Sequence, residues 1–289
     1  MNTDARPIRL AEPLPKGAYV ESLKGTFEPD HFKPHTKMAT KEKFNKEMRE
    51  SYEALDETVL PPRPVIPSVP EPITVQETFV KSFKASNGVV LGESHKEMAS
   101  FKVLFENIDT LKKQGVKKVY FEGFIEFPCP KSFLDDGIGF LGDGKTKRTD
   151  PTFKELCEKL QANDIQVIPL DHFYLTRHKD LPRHLRPQLT TPIGTKTRLE
   201  EFNYFASETI LANSGTEKWV ALVGNSHMNT SENVPGLAEL TGAIGIAVSN
   251  KAGIQGAYGT KVVGRPQNRE KPVGFDGGVP GDLQIYVQP

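Results

Sequence analysis

The stretch that decides the fold is WVALVGNSH, from Trp219 to His227. Trp219–Val223 is an unbroken apolar run. A run that short and that continuous reads as a strand buried on both faces. It stops at Gly224-Asn225-Ser226-His227, where apolar residues give way to groups that do chemistry. The same form recurs outward along the chain. Val89–Leu91 ends in Gly92-Glu93-Ser94-His95, Val116–Phe121 in Glu122-Gly123, and Ile165–Leu170 in Asp171-His172. Ile244–Val248 is a fifth run. Between the runs lie helical stripes. Met98, Phe101, Leu104, Phe105, Ile108 and Leu111 form one, closed by Gly115. Phe153, Leu156, Cys157 and Leu160 form another, with Asp150 read as its N-cap and Pro151 as its first residue. Leu199, Phe202, Phe205, Ala206, Thr209 and Ile210 form a third, closed by Gly215, and Pro235–Leu240 has room for a short fourth. Strand–helix alternation of this kind predicts an α/β fold, a mostly parallel central sheet with helices on both faces.

Around this core, residues 1–75 read as a proline-rich N-terminal arm and 76–289 as the α/β domain, with 251–289 a Gly/Pro-rich tail wrapping it. Within the tail, Leu283–Val287 is expected to add an edge strand. In the arm, PPRPVIPSVPEP (61–72) is a stiff connector, and KEKFNKEMRESYEAL (41–55) has the spacing of one short helix. That helix either lies on the main domain or serves secretion, chaperone binding or localisation.

Charge excludes several functions. Lys plus Arg total 37 and Asp plus Glu total 37, so no net field exists to grip a polyanion or an anionic membrane, and no nucleic-acid partner is expected. The longest apolar runs are about five residues against the roughly 20 of a transmembrane helix. The start, MNTDARPIRLAEPLPKGAY, has no apolar core of a Sec signal. Two cysteines, Cys129 and Cys157, make no disulfide framework.

Function is expected where the strands end. In open α/β sheets, ligands bind beyond the carboxyl ends of the strands. Here that rim collects Glu93, Glu122 and Asp171 with His95, His172 and His227, the residue types of a hydrolytic or metal-binding site. Glu122 sits between aromatic residues, where a carboxylate is costly without a partner. Asn225 is placed either to donate to a substrate oxygen or to shape its turn. The segment DHFYLTRHKDLPRHLRP (171–187) follows the third strand and carries His172 and Arg177 among several basic residues, suited to an anionic group on a substrate. Gly139–Thr146 matches a phosphate-binding loop and Gly137–Gly142 a dinucleotide fingerprint, but neither follows a strand pattern, so both read as a Gly-rich loop. Ser94 and Ser226 lack the second glycine of a nucleophile elbow.

The set strand–GESH, strand–EG, strand–LD, strand–GNSH resembles the erythromycin esterase/ChaN-like superfamily over about residues 80–250. Its relatives include Tiki-type metalloproteases and a domain of dermonecrotic-type toxins. Glu93 and His95 match the superfamily's first Glu/His pair, Glu122 its second-strand acid and His227 its late histidine, with Asp171 a looser match. The arm without a Sec signal also resembles bacterial type III effectors of the HopBA type. These resemblances imply a toxin-like effector made in the bacterial cytoplasm and exported into a host cell, with a host receptor or secretion chaperone as partners.

Two mechanisms fit the residue types. In a metal-free hydrolase, Glu93 or His95 acts on water as the resemblance implies, while His227 and Asn225 stabilise the oxyanion, and Asp171, His172 and Arg177 bind substrate. In a metal-dependent one, Glu93, His95, Glu122 and His227 hold Zn²⁺ or Mn²⁺ and lower the pKa of a bound water. Either cleaves an ester, amide or phosphoester. The alternatives are a non-catalytic effector module that binds a ligand or host partner, and a haem- or metal-binding protein.

Overall fold

The computed structural model describes residues 41–55, 60–65, 74–93, 99–125, 151–171, 175, 195–250, 259–261 and 281–287. Seven strands form one sheet: β1 (Gly88–Glu93), β2 (Val116–Ile125), β3 (Gln166–Asp171), β4 (Lys218–Gly224), β5 (Ile244–Asn250), β6 (Gly259–Lys261) and β7 (Leu283–Val287). Their order is β3-β2-β4-β1-β5-β7-β6. All neighbours pair parallel except β6, which is antiparallel to β7. The α/β class expected from the alternation is the class observed.

Strand side chains alternate between two cores, because successive residues point to opposite faces. Val89, Leu91, Val119, Phe121, Val220, Leu222, Ile244 and Ile246 bury one face. Against them pack helices α2 (Val75–Ala85), α3 (Ala99–Glu106), α4 (Ile108–Lys113) and α5 (Phe153–Ala162). Val90, Tyr120, Trp219, Ala221, Val223 and Ala247 bury the other face. There they meet α6 (Thr195–Ser214), the short α7 (Asn225–Met228) and α8 (Leu237–Thr241).

Helix ends follow local chemistry. Thr74 and Glu77 form a capping box on α2, and Thr152 and Glu155 form one on α5. Asp150 and Pro151 are therefore not the cap and first residue of α5. Thr152 is the cap, because its hydroxyl accepts from Glu155 N while Glu155 accepts from Thr152 N at 2.7 Å. The stripe read from Met98, which lies outside the described residues, to Leu111 is two helices from Ala99 onward. Asn107 separates them and turns its Nδ2 back onto the Val103 carbonyl at 2.7 Å. Gly115 and Gly215 close α4 and α6 at φ of 83° and 52°, the left-handed region that glycine enters at little cost.

Two features differ from the sequence reading. Leu283–Val287 is not an edge strand, since β5 flanks it on one side and β6 on the other. Helix α2 was not anticipated, and the boundary at 75/76 cuts it after its first residue. The described parts of 1–75 also pack on the body. Helix α1 (Lys41–Glu53) lies along α6, with Met48 buried against Leu175 and Phe205. Arg63 of the connector pairs with Asp282 and donates to the Ala243 carbonyl at 2.7 Å. For the helix at 41–53, packing on the main domain is thus the reading that the structure shows.

Candidate active site at the carboxyl rim of the sheet

Strand register sets the positions of the acids. In the β1–β4 ladder Glu93 lies opposite Gly224, and in β2–β4 Phe121 lies opposite Leu222. In β2–β3 Asp171 lies opposite Ile125. Glu93, Glu122, Asp171 and the turn after Gly224 therefore share one rim. Alternation then divides them. Glu93 keeps the parity of Val89 and Leu91 and turns toward α3. Its Oε2 accepts from Phe101 N at 3.0 Å, near the start of that helix, while Ser100 Oγ donates to the Gly92 carbonyl at 2.7 Å. A carboxylate there satisfies an otherwise orphan N–H and complements the helix dipole.

Glu122 keeps the parity of Tyr120 and turns to the opposite face. Its Oε2 accepts from Gly224 N at 2.7 Å. Its Oε1 lies 3.4 Å from His227 Nε2 and 3.5 Å from Arg198 Nη2. Arg198 rises from the first turns of α6 and grips Asp171 with both ends of its fork, Nη1 to Oδ1 at 3.0 Å and Nη2 to Oδ2 at 2.8 Å. It also donates to the Leu175 carbonyl at 2.8 Å, and its guanidinium lies 4.4 Å from the centre of the Phe202 ring. His227 Nδ1 lies 2.6 Å from Asn203 Oδ1, and Phe202 packs on the imidazole at a 4.3 Å centroid distance. Glu122, Asp171, Arg198, Asn203 and His227 are all buried.

The turn that seats His227 needs a bare backbone beside it. A Cβ on Gly92 would lie 2.5 Å from Asn225 Oδ1 and 2.7 Å from Met228 Sδ. Glycine lets α7 sit directly on β1, and this fixes Asn225 and His227 at the rim.

Chemically, the cluster is an acid, an imidazole and an amide in series, flanked by a guanidinium that bridges two carboxylates. It is suited to moving a proton at the imidazole and to stabilising the imidazolium that results. It is less suited to a cation. Glu122 already faces Arg198 and Gly224 N, and Glu93 is turned to the far face. Among the described residues no group of three or more His, Cys, Asp or Glu side chains is arranged to hold a metal ion.

Of the residues expected from sequence, Glu122, Asp171 and His227 come together, and Glu93 stands at the same rim on the other face. Asn225 is partly exposed at the head of α7. His95, His172 and Arg177 lie outside the described residues, as do Cys129 and the Gly-rich loop at 137–146. Asp171, expected to bind substrate, accepts both ends of the Arg198 fork. Arg198 and Asn203 were missed. Both stand in an ordinary helical stretch, TRLEEFNYF, where nothing local separates them from solvated polar residues.

No family model matches the chain, and no curated protein matches it. Solved structures do. The C-terminal region of Pasteurella multocida toxin, described with a thiol-protease-like catalytic triad, is 13% identical, with a TM-score of 0.51 over 72% of this chain and 30% of that one. RRSP, a MARTX toxin effector domain from Vibrio vulnificus, is 24% identical, with a TM-score of 0.45 over 61% of this chain and 36% of that one. The type III effector HopBA1 is 15% identical, with a TM-score of 0.45 over 77% of this chain and 97% of that one. The chain thus spans about a third of the length of the two toxin structures. The likeness is one of fold, the α/β architecture of the C-terminal region of Pasteurella multocida toxin. Among the described residues no helix is long and apolar enough to cross a membrane.

Proposed function

We propose that this chain is a toxin- or effector-like hydrolase that activates water at the Glu122–His227 pair. The observation that carries the reading is the 3.4 Å approach of His227 Nε2 to Glu122 Oε1 in a buried cluster at the sheet's carboxyl rim. In this scheme His227 Nε2 takes a proton from water as the water oxygen attacks a carbonyl or phosphoryl centre. Glu122 stabilises the imidazolium so formed, and the imidazolium returns the proton to the leaving oxygen or nitrogen. Asn225, the partly exposed first residue of α7, donates in this scheme to the developing oxyanion. The base is thus His227 rather than Glu93, whose carboxylate accepts from Phe101 N. Asp171 and Arg198 hold the charge of the site. The fold shared with a bacterial toxin region is the ground for proposing a substrate inside a host cell.

The test is turnover of an ester, amide and phosphoester panel by wild type, Glu122→Gln and His227→Ala, each checked for folding by circular dichroism. Each substitution is expected to lower kcat by about 10²-fold or more. Folded variants that match wild type would overturn the reading. So would a folded wild type that turns over none of the three classes.

A further inference from the structure

We infer that Asn203 is a positioning residue that holds His227 in the tautomer with the proton on Nδ1, leaving Nε2 as the proton-accepting atom. The inference rests on the hydrolytic reading of His227 and names what prepares that residue for the task.

The argument starts from the amide. An asparagine side chain has one accepting end and one donating end, and its orientation is fixed by what each end meets. Asn203 Nδ2 donates to the Pro235 carbonyl at 2.8 Å. A carbonyl only accepts, so the opposite end of the amide must be Oδ1. That oxygen lies 2.6 Å from His227 Nδ1. An oxygen acceptor at that distance requires a hydrogen on Nδ1, whatever the state of Nε2. The ring cannot turn over at no cost, because a flip would set Cδ2 against Oδ1 and forfeit the bond. Phe202, one residue before Asn203, packs on the imidazole and keeps the ring in place.

The partners are themselves held. Asn203 is fully buried on α6, and Pro235 precedes α8, which packs beside that helix. Free histidine prefers its neutral proton on Nε2, the wrong nitrogen for a base facing Glu122. Asn203 reverses that preference. The task is the one that a carboxylate or carbonyl performs for other catalytic and metal-bound histidines, where the bond at one nitrogen decides the state of the other. Here a neutral amide does it. No negative charge is added beside the imidazole, so the carboxylate that meets the ring is Glu122, on the Nε2 side.

The experiment is a long-range ¹H–¹⁵N spectrum of the full chain with labelled histidine, His227 being assigned by its loss in His227→Gln. In wild type, His227 Nδ1 is expected to be protonated. In Asn203→Leu the proton is expected to shift toward Nε2, with kcat lowered about 10- to 100-fold and KM nearly unchanged. Asn203→Asp, which keeps an acceptor for Nδ1, is expected to restore the protonated Nδ1. An unprotonated Nδ1 in wild type overturns the inference, and so does a folded Asn203→Leu whose Nδ1 is unchanged. If Asn203→Leu does not fold, the spectra of wild type and Asn203→Asp decide. The spectrum needs no substrate, so it separates this inference from the hydrolytic reading. A protonated Nδ1 in a protein whose Glu122→Gln variant is as active as wild type would remove the hydrolysis and leave the orientation standing.

Discussion

Replacing Arg198 with methionine should be among the most damaging single changes in the described molecule. The guanidinium makes two short bonds to Asp171 and one to the Leu175 carbonyl, and it stands 3.5 Å from Glu122. All three side chains are buried. Methionine keeps the length and apolar contact of the stem over Phe202 but supplies no donor and no charge. Two buried carboxylates then lose the guanidinium that both of them meet. Breaking a buried pair from one side costs about 3–5 kcal/mol, because the remaining charge is left without compensation. Each kcal/mol lowers the midpoint of a chain this large by about 2–4 °C, so Tm should fall by about 6–20 °C. Urea unfolding should show the same loss with an unchanged m-value, since little extra surface is exposed. Arg198→Lys should recover part of the loss, as one ammonium keeps the charge but does not span both Asp171 oxygens. Adding Asp171→Asn to Arg198→Met should cost much less than the sum of the single changes, because the two share one bond network. An Arg198→Met protein within about 0.5 kcal/mol of wild type would refute the claim that this guanidinium holds the rim together.

Two further predictions separate structural from chemical roles. Glu93→Gln keeps an oxygen acceptor for Phe101 N, so stability should fall by no more than about 1 kcal/mol and turnover should stay near wild type. A kcat lowered 10²-fold in folded Glu93→Gln would return the base to Glu93. The second concerns Glu201, whose carboxyl burial pushes up from its ordinary value while Arg49 pulls it back down. A raised folded pKa contributes stability that is complete below the unfolded value of about 4.3 and is lost as pH rises through the folded value. Arg49→Ala removes the pull and raises that value further. It should therefore destabilise by about 1 kcal/mol at pH 7, limited by the half-exposed position of Arg49, and by less at pH 4.5. Equal losses in urea melts at both pH values would refute the assignment.

Much of the sheet was legible because buried parallel strands leave a simple trace, short apolar runs with polar residues where each strand meets the rim. The five runs read from sequence are β1 to β5, in the same chain order. Helix α2 left a weaker trace. Its Thr74–Glu77 box is a local signal, but Val75, Phe79 and Phe83 follow directly on the proline-rich connector, and the composition of the connector masked the start of the helix. The position of β7 was not legible, because whether a strand is internal depends on a partner, β6, only three residues long. At the site, residue type and strand ends were enough to bring Glu122, Asp171 and His227 to one rim. They were not enough to place Arg198 and Asn203. A helix that crosses the sheet presents several polar positions, and tertiary contact alone selects which of them is buried.

Parity explains why a set of acids that looks uniform in sequence splits into two jobs. Glu93 and Glu122 flank the same residue, Gly224: one pairs beside it in the β1–β4 ladder, and the other accepts its N–H. The two strands carry their acids with opposite phase, so one carboxylate meets the start of α3 and the other meets the guanidinium and imidazole beside α6. Helix α6 then determines the chemistry of its side. From one helix Arg198 balances the carboxylates, Phe202 supports both the guanidinium and the imidazole, and Asn203 sets the proton on His227. Helix α1 lies along the outer side of α6, with Met48 against Phe205 and Arg49 on Glu201. The helix of the proline-rich arm is therefore packed on the element that carries Arg198 and Asn203. A change at Met48 or Arg49 that lets α6 shift would reach His227 through Asn203, without touching any residue of the strand ends.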